Sequence, residues 1–451
     1  GPLVKAQLEQ VNSQGRQVIV VTDSSWLGRS SEYSRVTEWR SGNYGGDQIN
    51  ARLRTTDFSG KIHDNGNWQP VSVTTVSNHQ VSPQMVELNT ITERINPLSV
   101  QSLGNNSYLV DMGKDLTGWF EICFPKLEPL QEVTIEYCDA LGEKGEFINQ
   151  KQVDKYLAIG LGKEWFRNKF SYHAFRYIKI SNLPEAPAID SMNAFLIHTG
   201  YGLASGFECS DPDLNKIHQM IYHTIRCLSL GGDLVDCPHL ERLGYGGDGN
   251  ASTETAQTLF DLNPLYANWL QIWADCIREN GDMPHTAPNP WSAGGGPYWC
   301  GFIITASWKT YLNYGDSLVL QNYYPVMQKW LGFVARHMTD GLLRPWPETD
   351  YRGWYLGDWA SPTGVDQTAG KSIDLVNNCF IAVCYDRMQK IALTLGLNDD
   401  ASRYASQKEQ SQRRIHQEFF NPQIILTVPL LKSILHFPCW LVLFLLNWKV
   451  P

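Results

Sequence analysis

"DLVDCPHLERLGYGGDGN", residues 233–250, sets four acidic side chains (Asp233, Asp236, Glu241 and Asp248) within eighteen residues, with Pro238, His239 and the glycines Gly244, Gly246 and Gly247 between them. Acids usually spread over solvated faces and glycines usually punctuate loops. The pattern therefore asks for a purpose, either a bound cation or paired carboxyl groups aimed at one substrate. An EF-hand needs acids or amides at every second position and a closing Glu. Here Asp236, Glu241 and Asp248 are spaced by five and then seven, with Leu240, Leu243 and Tyr245 in the gaps. A phosphate loop fails as well, because "GGDGNAST" (246–253) has no Lys after its glycines and its acid would repel the phosphate. What remains is acid/base chemistry on a neutral substrate, weighed against carboxylates that merely cap helices and hold a loop. Cleaving a glycosidic bond needs a protonated carboxyl for the leaving oxygen and a carboxylate to activate water. Crowded carboxylates supply the first by raising one another's pKa.

Outward from this stretch the chain changes character. Residues 3 to about 200 read as β: "RQVIVVTDSSW" (16–26) is a strand into a turn, and "EVTIEYCDALGEKGE" (132–146) alternates before a Gly turn. "HAFRYIKISNLP" (173–184) sets Phe175, Tyr177 and Lys179 on one face. Such strands suggest β-sandwiches, with a break near residue 85. From residue 205 the period becomes helical. In "SDPDLNKIHQMIYHTIRCL" (210–228) Ser210 can cap, and Leu214, Ile217, Ile221 and Leu228 share a face. Further helices are expected over roughly 250–260, 263–279, 300–314, 317–339, 374–396 and 400–420. Long loops rich in Gly, Pro and Trp separate them (280–299 and 344–364), and loops of that length are usually functional. Paired helices with elaborated loops at one end suggest an α/α toroid whose loops form a pocket.

Composition narrows the partners. With 451 residues, 43% hydrophobic and 18% charged, the chain is soluble-globular in type and long enough for two or three domains. A net charge of −9 without a Lys/Arg cluster argues against nucleic acid. The ten cysteines form no CxxC pair and no zinc spacing, so no metal module is indicated, and Cys379 and Cys384 read as helical core. The 16 Trp and 20 Tyr lean towards carbohydrate, although β-rich proteins bury many aromatics in any case. Gly1-Pro2 reads as a protease scar, so a leader peptide is not legible.

"DCPHLERLGYGGDGN" (236–250) resembles the signature of the bacterial α-L-rhamnosidases, glycoside hydrolase family 78. Other stretches resemble that family in the same order: 21–52, "SYLVDMGKDLTGWFEI" (107–122), "FSYHAFRYIKI" (170–180), "NGDMPHTAP", "GGGPYWCG", "YGD" and "LGDW". The resemblance covers residues 18–422. It implies β-sandwich modules followed by a partial (α/α)6 barrel: an accessory β-domain at 1–85, a concanavalin-like β-sandwich at 86–204 and the first part of the catalytic barrel at 205–422. It further implies hydrolysis of terminal α-L-rhamnosyl residues of a glycoside or polysaccharide, with inversion and without a cofactor. Glu241 then matches the general acid, and Asp236 and Asp248 match acids that hold rhamnose hydroxyls and support the transition state. Trp299, Trp354, Asp358, Trp359 and Tyr245 would line the sugar pocket, for which the competing reading of the aromatics is packed core. Arg242 would orient an acid, and His239 would be a pocket donor or a packed turn residue. This chain has the shorter of the family's spacings between Cys-Pro and Glu.

Two departures stand out. The family's general base lies downstream of the "GDW" loop, beyond residue 451, and a closed barrel needs twelve helices where about seven are read here. The fragment is therefore expected to be inactive. A non-catalytic carbohydrate-binding protein and an (α/α)6 glycosidase for another sugar stay open. Residues 423–451 read as a frameshifted tail and not as a membrane anchor, because Pro429, Lys432, His436 and Pro438 interrupt it. No membrane partner is expected, and a periplasmic or extracellular location is favoured over the cytoplasm.

Overall fold

The computed structural model describes residues 3–37, 45–54, 68–75, 83–289, 296–346, 355 and 370–420. The chain forms two compact units. The first comprises Gly1–Gln84, Asn96–Asp115 and Trp119–Ala194, and the second Met85–Ile95, Leu116–Gly118 and Phe195–Pro451.

In the first unit β1 (Gln7–Asn12) and β2 (Gly15–Val21) form a hairpin, and the short β3 (Leu27–Gly28) pairs with β6 (Gln69–Pro70). The main sheet runs β4 (Tyr33–Arg35), β5 (Asp47–Asn50), β11 (Gln152–Leu157), β10 (Glu132–Cys138), β13 (His173–Ser181) and β9 (Ser107–Cys123). Two more strands, β8 (Ser99–Gly104) and β12 (Trp165–Arg167), also pair with β9. Val133, Ile135 and Tyr137 of β10 point inwards and are fully buried, as two-residue periodicity requires. On β13 the shared face of Phe175, Tyr177 and Lys179 is buried at Phe175 and partly open at the other two.

The expected break near residue 85 does not divide the strands into separate sheets. β5 pairs parallel with β11, Gln48 opposite Lys155, so strands from both sides of the break share one sheet. Parallel pairing across 107 residues leaves no trace in local alternation, which explains the difference. β7 (Asn89–Ile95) belongs to the second unit, and β14 (Met192–Thr199) enters it at Phe195.

The second unit is built from helical hairpins: α1 (Pro212–Leu228), α2 (Gly246–Leu259), α3 (Asn263–Asp275), the single turn α4 (Pro297–Cys300), α5 (Phe302–Tyr314), α6 (Leu318–Arg336), α7 (Gly370–Thr394) and α8 (Asn398–Phe419). α2, α5 and α7 form a row in which each packs on the next, and α3, α6 and α8 back them. This is a portion of an (α/α)6-type toroid. Between the layers Trp269, Trp273, Trp330 and Phe302 are fully buried. α1 departs from expectation twice. Its cap is Asp211, not Ser210, and the Asp211 carboxylate accepts from the Asp213 N–H at 2.8 Å. On its apolar stripe Leu214, Ile217 and Ile221 are 49%, 46% and 38% exposed, and burial begins at Ile225. α3 and α6 each end about three residues early, and after α6 the chain turns into a two-residue hairpin, β15 (Met338–Thr339) with β16 (Leu342–Leu343). No described helix is long and apolar enough to cross a membrane. The expected tail, 423–451, lies outside the described residues.

Candidate active site

The acid-rich stretch folds as a ring closed at its base. The Asp236 N–H donates to the Leu243 carbonyl at 3.0 Å, and the Leu243 N–H returns to Asp236 Oδ1 at 3.0 Å. Inside the ring the Arg242 N–H reaches the Cys237 carbonyl at 3.1 Å. This reversal puts Arg242 at φ +58°, a left-handed conformation that a non-glycine residue adopts at some strain. Arg242 Nε donates to the Pro238 carbonyl at 2.8 Å. Cys237 Sγ–H donates to Asp236 Oδ2 at 2.8 Å and accepts the Glu241 N–H at 3.4 Å. Burial, then Asp236, pushes this thiol up to about 12, so it stays a donor at ordinary pH. The Asp236 carboxylate is thus held by donors from within the ring, the Cys237 thiol and the backbone N–H groups of Leu243 and Cys237.

Next, the ring is bolted to the start of α2. The Gly246 N–H donates to the His285 carbonyl at 3.0 Å, and Tyr245 bridges Thr286. A Cβ on Gly247 would come within 2.6 Å of the Trp299 ring, so the glycine lets α2 settle onto that indole. Trp299 is 5% exposed and packs beneath α2 instead of standing open in a pocket. Asp248 lies in the first turn of α2, where the positive end of the helix dipole favours a carboxylate.

The carboxylates act on one another. Burial pushes Asp236 up against the donors from Cys237 and Leu243, and Glu241 adds to the rise. Asp248 is exposed at the surface of this chain, on a turn crowded by neighbouring protein. Burial, then Asp236 and more weakly Glu241, push it up to about 6. Tyr245 Oη donates to Glu241 Oε2 at 2.5 Å. Burial first, then Glu241, Asp236 and Asp248, hold that phenol far above its ordinary range. Asp233 lies deeper, beside Gly244, and burial pushes it up to about 7.

Glu241, Asp236, Asp248 and Tyr245 are therefore brought together. His239 is half-buried on the ring, and Arg242 braces the ring through Pro238. Trp354, Asp358 and Trp359 lie outside the described residues. Cys237 escapes the sequence reading, although its place next to Asp236 is a signal. Among the described residues no group of three or more His, Cys, Asp or Glu is arranged to hold a metal.

The chain belongs to the bacterial alpha-L-rhamnosidase family: the family model of its 6 hairpin glycosidase domain matches residues 203–428, that of its concanavalin-like domain 101–198, and the alpha-L-rhamnosidase N-terminal domain 2–93. An alpha-L-rhamnosidase of Alteromonas sp. (strain LOR) is 26% identical over 446 residues, covering 94% of this chain and 46% of that protein. The alpha-L-rhamnosidase structure from Dictyoglumus thermophilum has the same fold at TM-score 0.83 and 24% identity, over 92% of this chain and 46% of that one. The Streptomyces avermitilis alpha-L-rhamnosidase complexed with L-rhamnose gives TM-score 0.81 at 23% identity, over 93% and 39%. The chain thus spans less than half the length of these relatives.

Proposed function

We propose that this chain carries the acid side of an α-L-rhamnoside hydrolase. The observation that carries the reading is the convergence of Glu241, Asp236 and Asp248 at the start of α2, close enough that Glu241 raises both neighbours and Asp236 raises Asp248. Glu241 protonates the glycosidic oxygen as the C1–O bond breaks. Asp236 and Asp248 accept from sugar hydroxyls and stabilise positive charge developing on the ring. The family and the L-rhamnose in the Streptomyces complex support the choice of sugar. Inversion requires a second carboxylate to take a proton from water, and none is assigned to that role among the described residues.

The test, on a form of the enzyme that also carries the second carboxylate, is release of 4-nitrophenol and of a plain alkyl alcohol from the corresponding α-L-rhamnosides, with the anomer of the freed sugar followed by NMR. Glu241→Gln should lower turnover of the alkyl rhamnoside by about 10²–10⁴-fold. Near-normal turnover in that variant would remove Glu241 from the role. If the wild-type protein cleaves a different glycoside and leaves rhamnosides intact, the sugar assignment falls.

A further inference from the structure

Glu241 has two carboxyl oxygens, and the structure treats them differently. Oε2 is 2.5 Å from the Tyr245 hydroxyl. That hydroxyl belongs to a residue with little freedom. Tyr245 is the N-cap of α2, its carbonyl accepts from the Gly249 N–H at 2.9 Å, its backbone bridges Thr286, and its ring lies 5.1 Å from that of His285. Glu241 is also tied locally, by its N–H to Cys237 Sγ. Only three residues of chain therefore separate two anchored points whose side chains meet.

We infer that Tyr245 is a positioning residue for the general acid, holding Glu241 Oε2 so that the proton delivered to the substrate sits on Oε1. This deepens the α-L-rhamnosidase reading and rests on it. The phenol is held protonated by burial and by three nearby carboxyls, so it donates at every working pH and cannot itself take over the acid's task. During the reaction the Oε1–H bond breaks and its proton joins the departing alcohol oxygen. The C1–O electron pair leaves with that oxygen, and water adds to C1 and gives its proton to the second carboxylate. Glu241 is then fully ionised. A hydrogen bond to a carboxylate is stronger than one to a neutral carboxyl, so the Tyr245 donor gains strength as the proton leaves. An interaction that strengthens along the reaction raises turnover more than it tightens substrate binding.

The experiment has a spectroscopic arm and a kinetic arm, each comparing wild type with Tyr245→Phe, which removes one oxygen and keeps the ring. On this chain, proton NMR should show a low-field, slowly exchanging hydroxyl proton that disappears in Y245F and moves in E241Q. Absence of that proton from the folded wild type overturns the inference. In the kinetic arm, Y245F should lower kcat on alkyl rhamnosides by about tenfold to a hundredfold, the scale of one hydrogen bond to a charged group. KM should stay within about twofold, and 4-nitrophenyl rhamnoside, whose leaving group needs little protonation, should lose far less. Equal losses on both leaving groups, or a change in KM alone, would mark Tyr245 as packing only. If a form of the enzyme that also carries the second carboxylate hydrolyses no rhamnoside, the functional reading fails, and the hydroxyl resonance still decides whether Tyr245 holds Glu241.

Discussion

Two clusters of acids occupy this molecule, one in each unit, and they are finished differently. In the first unit Asp154 is completely buried. Its Oδ1 accepts the Asp47 N–H at 2.6 Å, and its Oδ2 accepts from Tyr137 Oη at 2.6 Å and Asn168 Nδ2 at 2.6 Å, with His173 Nε2 at 3.0 Å. Asp47, 3% exposed, sits in a nest of backbone N–H groups from Lys169, Phe170 and Ser171. The Asp154 carboxylate meets the fold on both oxygens and no solvent. In the second unit Asp236 accepts from the Cys237 thiol and from Leu243 N–H while staying partly open, and Glu241 Oε2 holds the Tyr245 hydroxyl. Asp248 meets solvent. The density of acids does not separate a structural cluster from a candidate site; access does, since Asp154 is sealed from solvent while Glu241 and Asp248 are reachable.

The largest expected effect falls on the finished cluster. Asp154→Ala leaves a phenol, an amide and an imidazole buried without their acceptor, and should destabilise the protein by about 3–5 kcal/mol, measured by urea unfolding. Glu241→Gln should change stability by less than about 1 kcal/mol while abolishing most turnover. If the two variants unfold alike, the distinction collapses. Gly247→Ala should destabilise by about 1–3 kcal/mol, because its Cβ would press on the Trp299 ring at 2.6 Å. L-rhamnose binding by that variant, followed by titration calorimetry, should weaken with it, since Asp248 rides on the same turn.

A pH comparison is subtler. The Asp233 carboxyl rises from 3.8 to about 7 on burial. The folded state thus binds the proton more tightly than the unfolded one, so this group's contribution is complete below about pH 4 and lost as pH rises through about 7. Asp233→Asn should leave melting at pH 4 nearly unchanged and raise the melting temperature at pH 8, the gain being at most about 4 kcal/mol. An equal shift at both pH values would show that the effect is not titration. Smallest of all, deleting the exposed pair Arg413–Glu409, 63% exposed on each side, should move stability by less than about 0.5 kcal/mol.

How much of this is legible in the sequence follows from the range of the interactions. Helical periodicity is local, and five of the seven helices read from it end within two residues of where expected; the acid ring is local too, so Asp236, Glu241 and Asp248 are visible as a group. What escapes is long-range or inverted. Asp47 and Asp154 meet across a parallel strand pairing, and the inward positions of β11 are Gln152, Asp154 and Tyr156, the reverse of the apolar-inward rule by which strands are read. Trp299 reads as a sugar platform, and nothing in its sequence neighbours reveals that Gly247 yields room for its ring beneath α2. Tyr245 reads as a pocket wall, since a tyrosine four residues from a glutamate does not announce its hydrogen bond.

The clasp between Asp236 and Leu243 has a consequence for how such a loop evolves. Two hydrogen bonds close the ring at its neck, so the helix beyond is seated by Leu243, Tyr245 and the 285–287 segment and not by what happens between Cys237 and Arg242. A residue added or lost inside the neck changes the reach of the acid without moving the helix that carries Asp248. Loop length becomes an independent variable, open to selection for differently shaped leaving groups, on a frame that need not be rebuilt each time.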